Sequence, residues 1–261
     1  MKCGLFIIAR LGSQRLQAKH IQLVAGQPVL LHLIRRISHA FAGQIANGRA
    51  EVVVVTSDEL VNRNLADVIG LEASIFYGSI NNIPLRQLQA AEAGKFTEIV
   101  SIDGDDILCS PSGMLAIAEK LTSGKEYVQT SELPFGMNSF GYTHGFLQRA
   151  VCSHQSEVLE TGWGRIFAGK AVDTVRFDHL PRDERFRFTL DYPEDLAFFR
   201  AIFEALGARA ISASDNEIIQ LVLERQIYSL NAAVAQEYWA NFRRQVDKER
   251  TKASTVACDM S

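Results

Sequence analysis

Two short, unbroken apolar runs constrain this chain most. Leu5-Phe6-Ile7-Ile8-Ala9 and Val52-Val53-Val54-Val55 show no alternation, as expected of strands buried on both faces. Ser74–Tyr77 and Glu98–Ile102 read as two further strands. Between the runs, apolar residues recur at helical spacing. Leu30, Leu33, Ile34, Ile37 and Phe41 form one stripe, with Arg35 and Arg36 assigned to the opposite face. Helices are expected from Ser57-Asp58 (as a cap) to Gly70, from Pro84 to Gly94, and from Pro111 to about Gly124. This strand–helix rhythm predicts an α/β architecture in three layers, α/β/α, around a mainly parallel sheet.

In such sheets ligands bind beyond the carboxyl ends of the strands. The stretches expected there are 10–19, Ser57-Asp58, 78–86 and 103–106. The first carries Arg10, Gly12, Ser13, Arg15 and Lys19 directly after a buried strand. Gly12 admits close backbone approach, Ser13 offers N–H and hydroxyl donors, two arginines can fork onto phosphate oxygens, and Lys19 is a mobile point charge. The bland alternative is a solvated cluster of surface ion pairs. The sharper one is a loop that closes over a nucleoside triphosphate. The acidic run Asp103-Gly104-Asp105-Asp106 lies at another strand end, so the two loops carry opposite charge.

Net charge is only −3 over 261 residues, so bulk electrostatics give no support for nucleic-acid or anionic-membrane partners. Four scattered cysteines form no Cys-x-x-Cys pair, which suits reduced thiols and a cytoplasmic protein. No segment approaches the length of a membrane span, and the opening apolar run is too short for a signal peptide. The length suits a single domain over 1–250, with a loop-rich middle region at 133–169, C-terminal helices, and a disordered tail at 251–261.

The second half is harder to read. Arg185–Leu190 alternates polar and apolar residues like a half-buried strand, and Asp191-Tyr192-Pro193-Glu194-Asp195 opens a helix with the stripe Leu196, Phe199, Phe203, Leu206. Asp191 reads either as that helix's cap or as a charged ligand. Trp163 and its neighbouring aromatics read as an acceptor pocket or as a small core.

Together, Arg10-Leu11-Gly12-Ser13-Gln14-Arg15-Leu16 with Lys19, Gly26-Gln27-Pro28, Thr56-Ser57-Asp58, Gly104-Asp105 and Arg187-Phe188-Thr189-Leu190-Asp191-Tyr192-Pro193-Glu194-Asp195-Leu196 resemble the cytidylyltransferases that activate acidic sugars. The likeness runs from about Lys2 to about Asn231. It is nearest the branch typified by spore-coat polysaccharide biosynthesis protein F, with relatives acting on acylneuraminate and 3-deoxy-manno-octulosonate. The resemblance implies a GT-A-like nucleotidyltransferase fold and Mg²⁺-dependent transfer of CMP from CTP to a sugar acid, with release of pyrophosphate. It implies that Arg10, Gly12, Ser13, Arg15 and Lys19 hold the triphosphate, that Ser57 and Arg86 contact nucleotide, and that Asp105 and Asp191 bind Mg²⁺. Arg10, Lys19, Asp105 and Asp191 are the implied catalytic set. A homodimer is implied as well. For Arg86 the competing reading is a surface helix arginine, and for Asp106 a simple turn residue. A second enzyme reading keeps the fold but changes the nucleotide or the acceptor (a sugar 1-phosphate, for instance). A third makes the chain a degenerate nucleotide-binding paralogue.

The chain departs from the family pattern at Gln17-Ala18 (usually Pro-Gly), at Asn81-Asn82, at Ile107, and around Phe140. The first departure implies a looser loop. The last falls where the acceptor is selected.

Overall fold

The structure, a computed structural model, describes residues 1–13, 15–154, 158–234, 237–238, 241–246 and 248. The elements run β1 (Cys3–Ile8), a small hairpin of β2 (Leu23–Val24) and β3 (Gln27–Pro28), α1 (Val29–Ala40), α2 (Ala42–Ala46), β4 (Ala50–Ser57), α3 (Asn64–Ile69) and β5 (Ser74–Gly78). They continue with α4 (Ile83–Gly94), β6 (Glu98–Asp103), α5 (Pro111–Thr122), β7 (Tyr127–Ser131), β8 (Phe140–Thr143), α6 (His144–Cys152), β9 (Asp173–Arg176), α7 (Pro193–Leu206) and α8 (Asp215–Glu224). All four strands expected in the first half form. The expected tail lies outside the described residues, as does part of the stretch 231–250, where the last of the expected C-terminal helices falls.

The seven-stranded sheet has the order β5-β4-β1-β6-β8-β7-β9. β1 lies parallel between β4 and β6, with Ile8 level with both Val55 and Asp103, and Ser57 on β4 pairs with Gly78 on β5. The carboxyl ends of these strands therefore finish together, and the loops that follow emerge side by side. Both faces of β1 are buried, as its unbroken pattern requires. Leu5 and Ile7 pack with Leu33, Ile34 and Ile117 from α1 and α5, while Phe6 and Ile8 pack with Leu88, Ala91 and Leu147 from α4 and α6. A third cluster joins α7 and α8 to Phe186, Phe188 and Leu190.

Several expectations are corrected. The middle region, expected to be loop-rich, also supplies an integral strand of the sheet, because β8 runs antiparallel between β6 and β7. Gly141 makes this possible: a Cβ there would lie 2.1 Å from a methyl of Ile117 on α5. Residues 185–190 form no ladder: Arg185 lies in a turn, and one bridge joins Arg187 to Phe135. Arg187 and Thr189 are buried along with Phe186, Phe188 and Leu190, so the alternation marks two buried faces rather than one. Ser57-Asp58 caps nothing. The chain enters a 3₁₀ turn at Leu60–Arg63 and then α3, neither with a side-chain cap, and the Ser57 hydroxyl donates instead to Glu59 (2.6 Å). Arg36 is buried rather than exposed, donating to the carbonyls of Cys109 (3.2 Å) and Ala210 (2.9 Å). Among the described residues, no helix is long and apolar enough to cross a membrane.

Candidate active site

The basic loop leaves β1 and is fastened to its neighbour at once: the Leu11 N–H donates to Asn62 Oδ1 (2.8 Å), and Asn62 Nδ2 donates to Ser57 O (3.0 Å) and Oγ (2.8 Å). Gly12 is exposed, and a Cβ on it would meet nothing within 4 Å. Its glycine therefore answers no packing demand inside the protein. Ala18 sits at φ +50° at the start of the 3₁₀ turn Lys19–Ile21, a left-handed conformation that favours glycine. Gln17-Ala18, in place of Pro-Gly, thus carries backbone strain.

The acidic turn after β6 lies tightly against the end of β1. The Gly104 N–H donates to Ile8 O (2.8 Å), and a Cβ at Gly104 would fall 2.7 Å from that oxygen and 2.9 Å from the Ala9 methyl. A third segment joins them when the Leu190 N–H donates to Asp105 O (3.0 Å), which brings Asp191 beside Asp105.

At the meeting point Lys19 Nζ donates to Asp105 Oδ2 (2.5 Å) and to Asp191 Oδ1 (3.1 Å). Arg15 Nη2 donates to the same Asp191 oxygen at 2.5 Å. On the far side Arg187 Nη2 donates to Asp191 Oδ2 (3.0 Å) and Asp195 Oδ2 (3.1 Å), while its Nε donates to Asp195 Oδ1 (2.9 Å). Burial opposes charge on Lys19 and Asp191, but the attraction of opposite charges outweighs it, so the Lys19 pKa is raised and that of Asp191 lowered. Both remain charged at neutral pH. Burial, together with the neighbouring Asp105, pushes Asp103 up to about 7 and Asp106 well above the usual carboxylate range. His20, buried beside Lys19 with Nδ1 3.2 Å from Gly104 O, is lowered to about 4 by burial first and by the Lys19 charge second.

Arg10 and Arg86, also expected at the site, meet in a second cluster. Glu160 pairs with Arg10 (3.3 Å) and with Arg86 (2.6 Å). Arg86 is 1% exposed, and it also donates to the carbonyls of Ser79 (2.7 Å) and Ile80 (2.9 Å), so it is not a surface arginine. Asp191 does not cap α7. Asp195 does, accepting the N–H groups of Asp191 (2.9 Å) and Tyr192 (3.0 Å). Trp163 packs on Phe140 and Phe167 inside a core cluster.

The structure brings Arg15, Lys19, Asp105 and Asp191 together and leaves Arg10, expected in the same set, with Glu160; Arg187 and Asp195 are given no role there by the sequence. The spacing of 187, 191 and 195 was the available signal, but a buried arginine looks like an exposed one until the fold is known. Among the described residues no group of three or more His, Cys, Asp or Glu forms a ready metal cluster. The two convergent carboxylates nevertheless suit Mg²⁺, which takes hard oxygen donors and few protein ligands.

A family model described as cytidylyltransferase matches residues 5–154. Spore coat polysaccharide biosynthesis protein SpsF of Bacillus subtilis (strain 168) is 26% identical over 229 residues, covering 84% of this chain and 93% of that protein. The 3-deoxy-manno-octulosonate cytidylyltransferase of Stenotrophomonas maltophilia (strain R551-3) is 28% identical over 127 residues, 48% of this chain. That match spans about half the relative's length, 47%. Among solved structures, a cytidylyltransferase from Leptospira borgpetersenii serovar Hardjo-bovis (strain JB197) superposes with a TM-score of 0.78 at 19% identity, covering 88% of this chain and 98% of that one. A CMP:2-keto-3-deoxy-manno-octonic acid synthetase complexed with CTP gives 0.60 at 17% identity, covering 78% and 99%. At these identities the structural likeness shows the fold, that of the α/β nucleotidyltransferases.

Proposed function

The chain belongs to the cytidylyltransferase family, and from that premise we propose that it transfers CMP from CTP to a sugar acid with Mg²⁺, releasing pyrophosphate, in the making of a surface polysaccharide. One observation carries the proposal. Lys19, Asp105 and Asp191, which are 86 and 172 residues apart in pairs, meet at a single nitrogen where the strands end.

In the proposed reaction an acceptor hydroxyl oxygen bonds to the α-phosphorus, the bond from that phosphorus to the bridging oxygen breaks, and pyrophosphate leaves. The hydroxyl proton passes to solvent. Negative charge grows on the phosphoryl oxygens and on the leaving group, and preorganised cations stabilise it. Arg15 and Lys19 are placed to do this, with Arg10 at the outer edge of the same loop. Gly12, bare and exposed, lets the backbone N–H groups approach a phosphate. Asp105 and Asp191 would hold the Mg²⁺, which when bound adds Lewis-acid charge at the phosphates. Ser57 and Arg86 act at one remove: Ser57 steadies Asn62 under the loop, and Arg86 orients Glu160.

The acceptor class rests on the relatives' names, the homodimer on the family resemblance, and the cytoplasmic location on the four scattered cysteines. Pyrophosphate release measured over CTP, UTP, ATP and GTP against a panel of keto-sugar acids and sugar 1-phosphates tests the reaction. Turnover with CTP and a sugar acid is expected. Turnover confined to another nucleotide or to a sugar 1-phosphate would redirect the proposal, and tight CTP binding with no turnover would replace it with a nucleotide-binding role. Sedimentation of the pure protein tests the dimer.

A further inference from the structure

We infer that Arg187 is the positioning residue of Asp191, dividing its carboxylate into one fixed oxygen and one exchangeable oxygen. The inference rests on the nucleotide–metal reading of this site and goes beyond it.

The two oxygens of Asp191 meet different kinds of partner. Oδ2 faces Arg187, which is 2% exposed and is held on several sides. Its guanidinium forks onto both oxygens of Asp195, at 2.9 and 3.1 Å. Its carbonyl accepts Asn231 Nδ2 at 2.9 Å, and the same nitrogen donates to Asp195 Oδ1 at 2.9 Å. The Tyr238 ring lies 4.3 Å from the guanidinium carbon. Asp195 is fixed in turn by the main-chain N–H groups that open α7. Arg187 cannot leave without stranding a buried carboxylate.

Among the described residues, Oδ1 accepts hydrogen bonds from the loop alone. Its partners there are Arg15, with a third of its side chain exposed, and Lys19. Both can move on a loop that contains an unencumbered glycine. When a nucleotide–metal pair enters, Lys19 and Arg15 are released from Oδ1 towards the phosphates while Arg187 keeps Oδ2 and the orientation of the carboxylate. An arginine serving only to brace α7 would need its bonds to Asp195. It would not need the further bond from Nη2 to Asp191. A lysine cannot reproduce the arrangement, because an ammonium is a point charge and a guanidinium is a planar fork.

Mn²⁺ serves as the probe, its uptake followed by electron paramagnetic resonance on the full chain with CTP present, alongside CTP binding without metal and circular dichroism. Arg187→Lys is expected to weaken Mn²⁺ uptake by about tenfold or more, as loss of an orienting partner to a ligand does, while CTP binding without metal stays near wild type. Asn231→Ala, which removes one support of Arg187 and no charge, should shift Mn²⁺ uptake in the same direction by a smaller factor, and it decides the matter should Arg187→Lys fail to fold. A folded Arg187→Lys protein with wild-type Mn²⁺ uptake overturns the inference, as does an unfolded one accompanied by a wild-type Asn231→Ala. Wild-type protein that takes up no Mn²⁺ with CTP would instead overturn the site reading itself.

Discussion

Two ionic clusters flank the basic loop, and they are built on different plans. In the inner one, Lys19 and Arg15 share Asp191 with Arg187, and Lys19 also holds Asp105. In the outer one, Glu160 joins Arg10 to an Arg86 that main-chain carbonyls hold in place. The inner cluster sets two cations of the loop against carboxylates held by the sheet and α7, and on the proposed reading these contacts are traded for those of a ligand. The outer cluster locks a buried arginine, and Arg10 alone is left partly exposed. Opposite charges near a strand end therefore do not by themselves mark chemistry. Whether one side of each pair can exchange is what separates the two.

The largest expected effect lies in the inner cluster. Asp191→Asn should fold, because Asp195 and not Asp191 caps α7, yet lose turnover by about 10²–10³-fold, the scale of one electrostatic contact in a transition state. Assays at saturating Mg²⁺ check this, and near-normal turnover there would erase the contrast between the clusters. Glu160→Gln should show the opposite profile. Arg86 would lose its charge partner in the interior at a cost of about 3 kcal/mol of stability, with a comparatively small change in turnover. Urea unfolding and steady-state kinetics on the same preparation separate the two quantities.

A pH test sharpens the picture of the inner cluster. His20 is held neutral with a pKa near 4, against 6.5 ordinarily. Between those values the unfolded chain takes up a proton that the folded chain does not, so stability falls as pH falls through this window. His20→Asn should remove about 2 kcal/mol of the loss between pH 7 and pH 5, seen as a shallower decline in unfolding free energy. Equal declines in variant and wild type would mean that His20 is not held neutral. The smallest effect is on the loop itself: Ala18→Gly should relieve the left-handed strain and raise stability by about 1 kcal/mol, read from the unfolding midpoint. No gain would mean that the loop adopts another conformation in solution.

The first half of the fold is legible because its strands are buried on both faces and its helices carry single stripes, so pattern and element coincide. Beyond Pro111 the coincidence fails. Phe140–Thr143 is too short to announce a strand, and 185–190 alternates without forming a ladder because separate partners hold its backbone: the Phe135 and Asp105 carbonyls and the Asn231 side chain. In the site, the basic loop stands out by its charge after a buried strand, while the two aspartates enter through the family resemblance. Arg36, Arg86 and Arg187 could not be read as buried, since arginine normally stays at the surface and only tertiary partners reveal the buried ones. Asp195 read as a helix-end residue, which it is; that it also anchors Arg187 depends on contacts invisible in the sequence.

A crystal structure of the protein with CTP and Mg²⁺ tests the central claim most directly. Lys19 Nζ is expected there to leave Asp105 and Asp191 for phosphate oxygens, while Arg187 stays within hydrogen-bonding distance of Asp191. Nucleotide bound elsewhere, with Lys19 still between the two carboxylates, would contradict it.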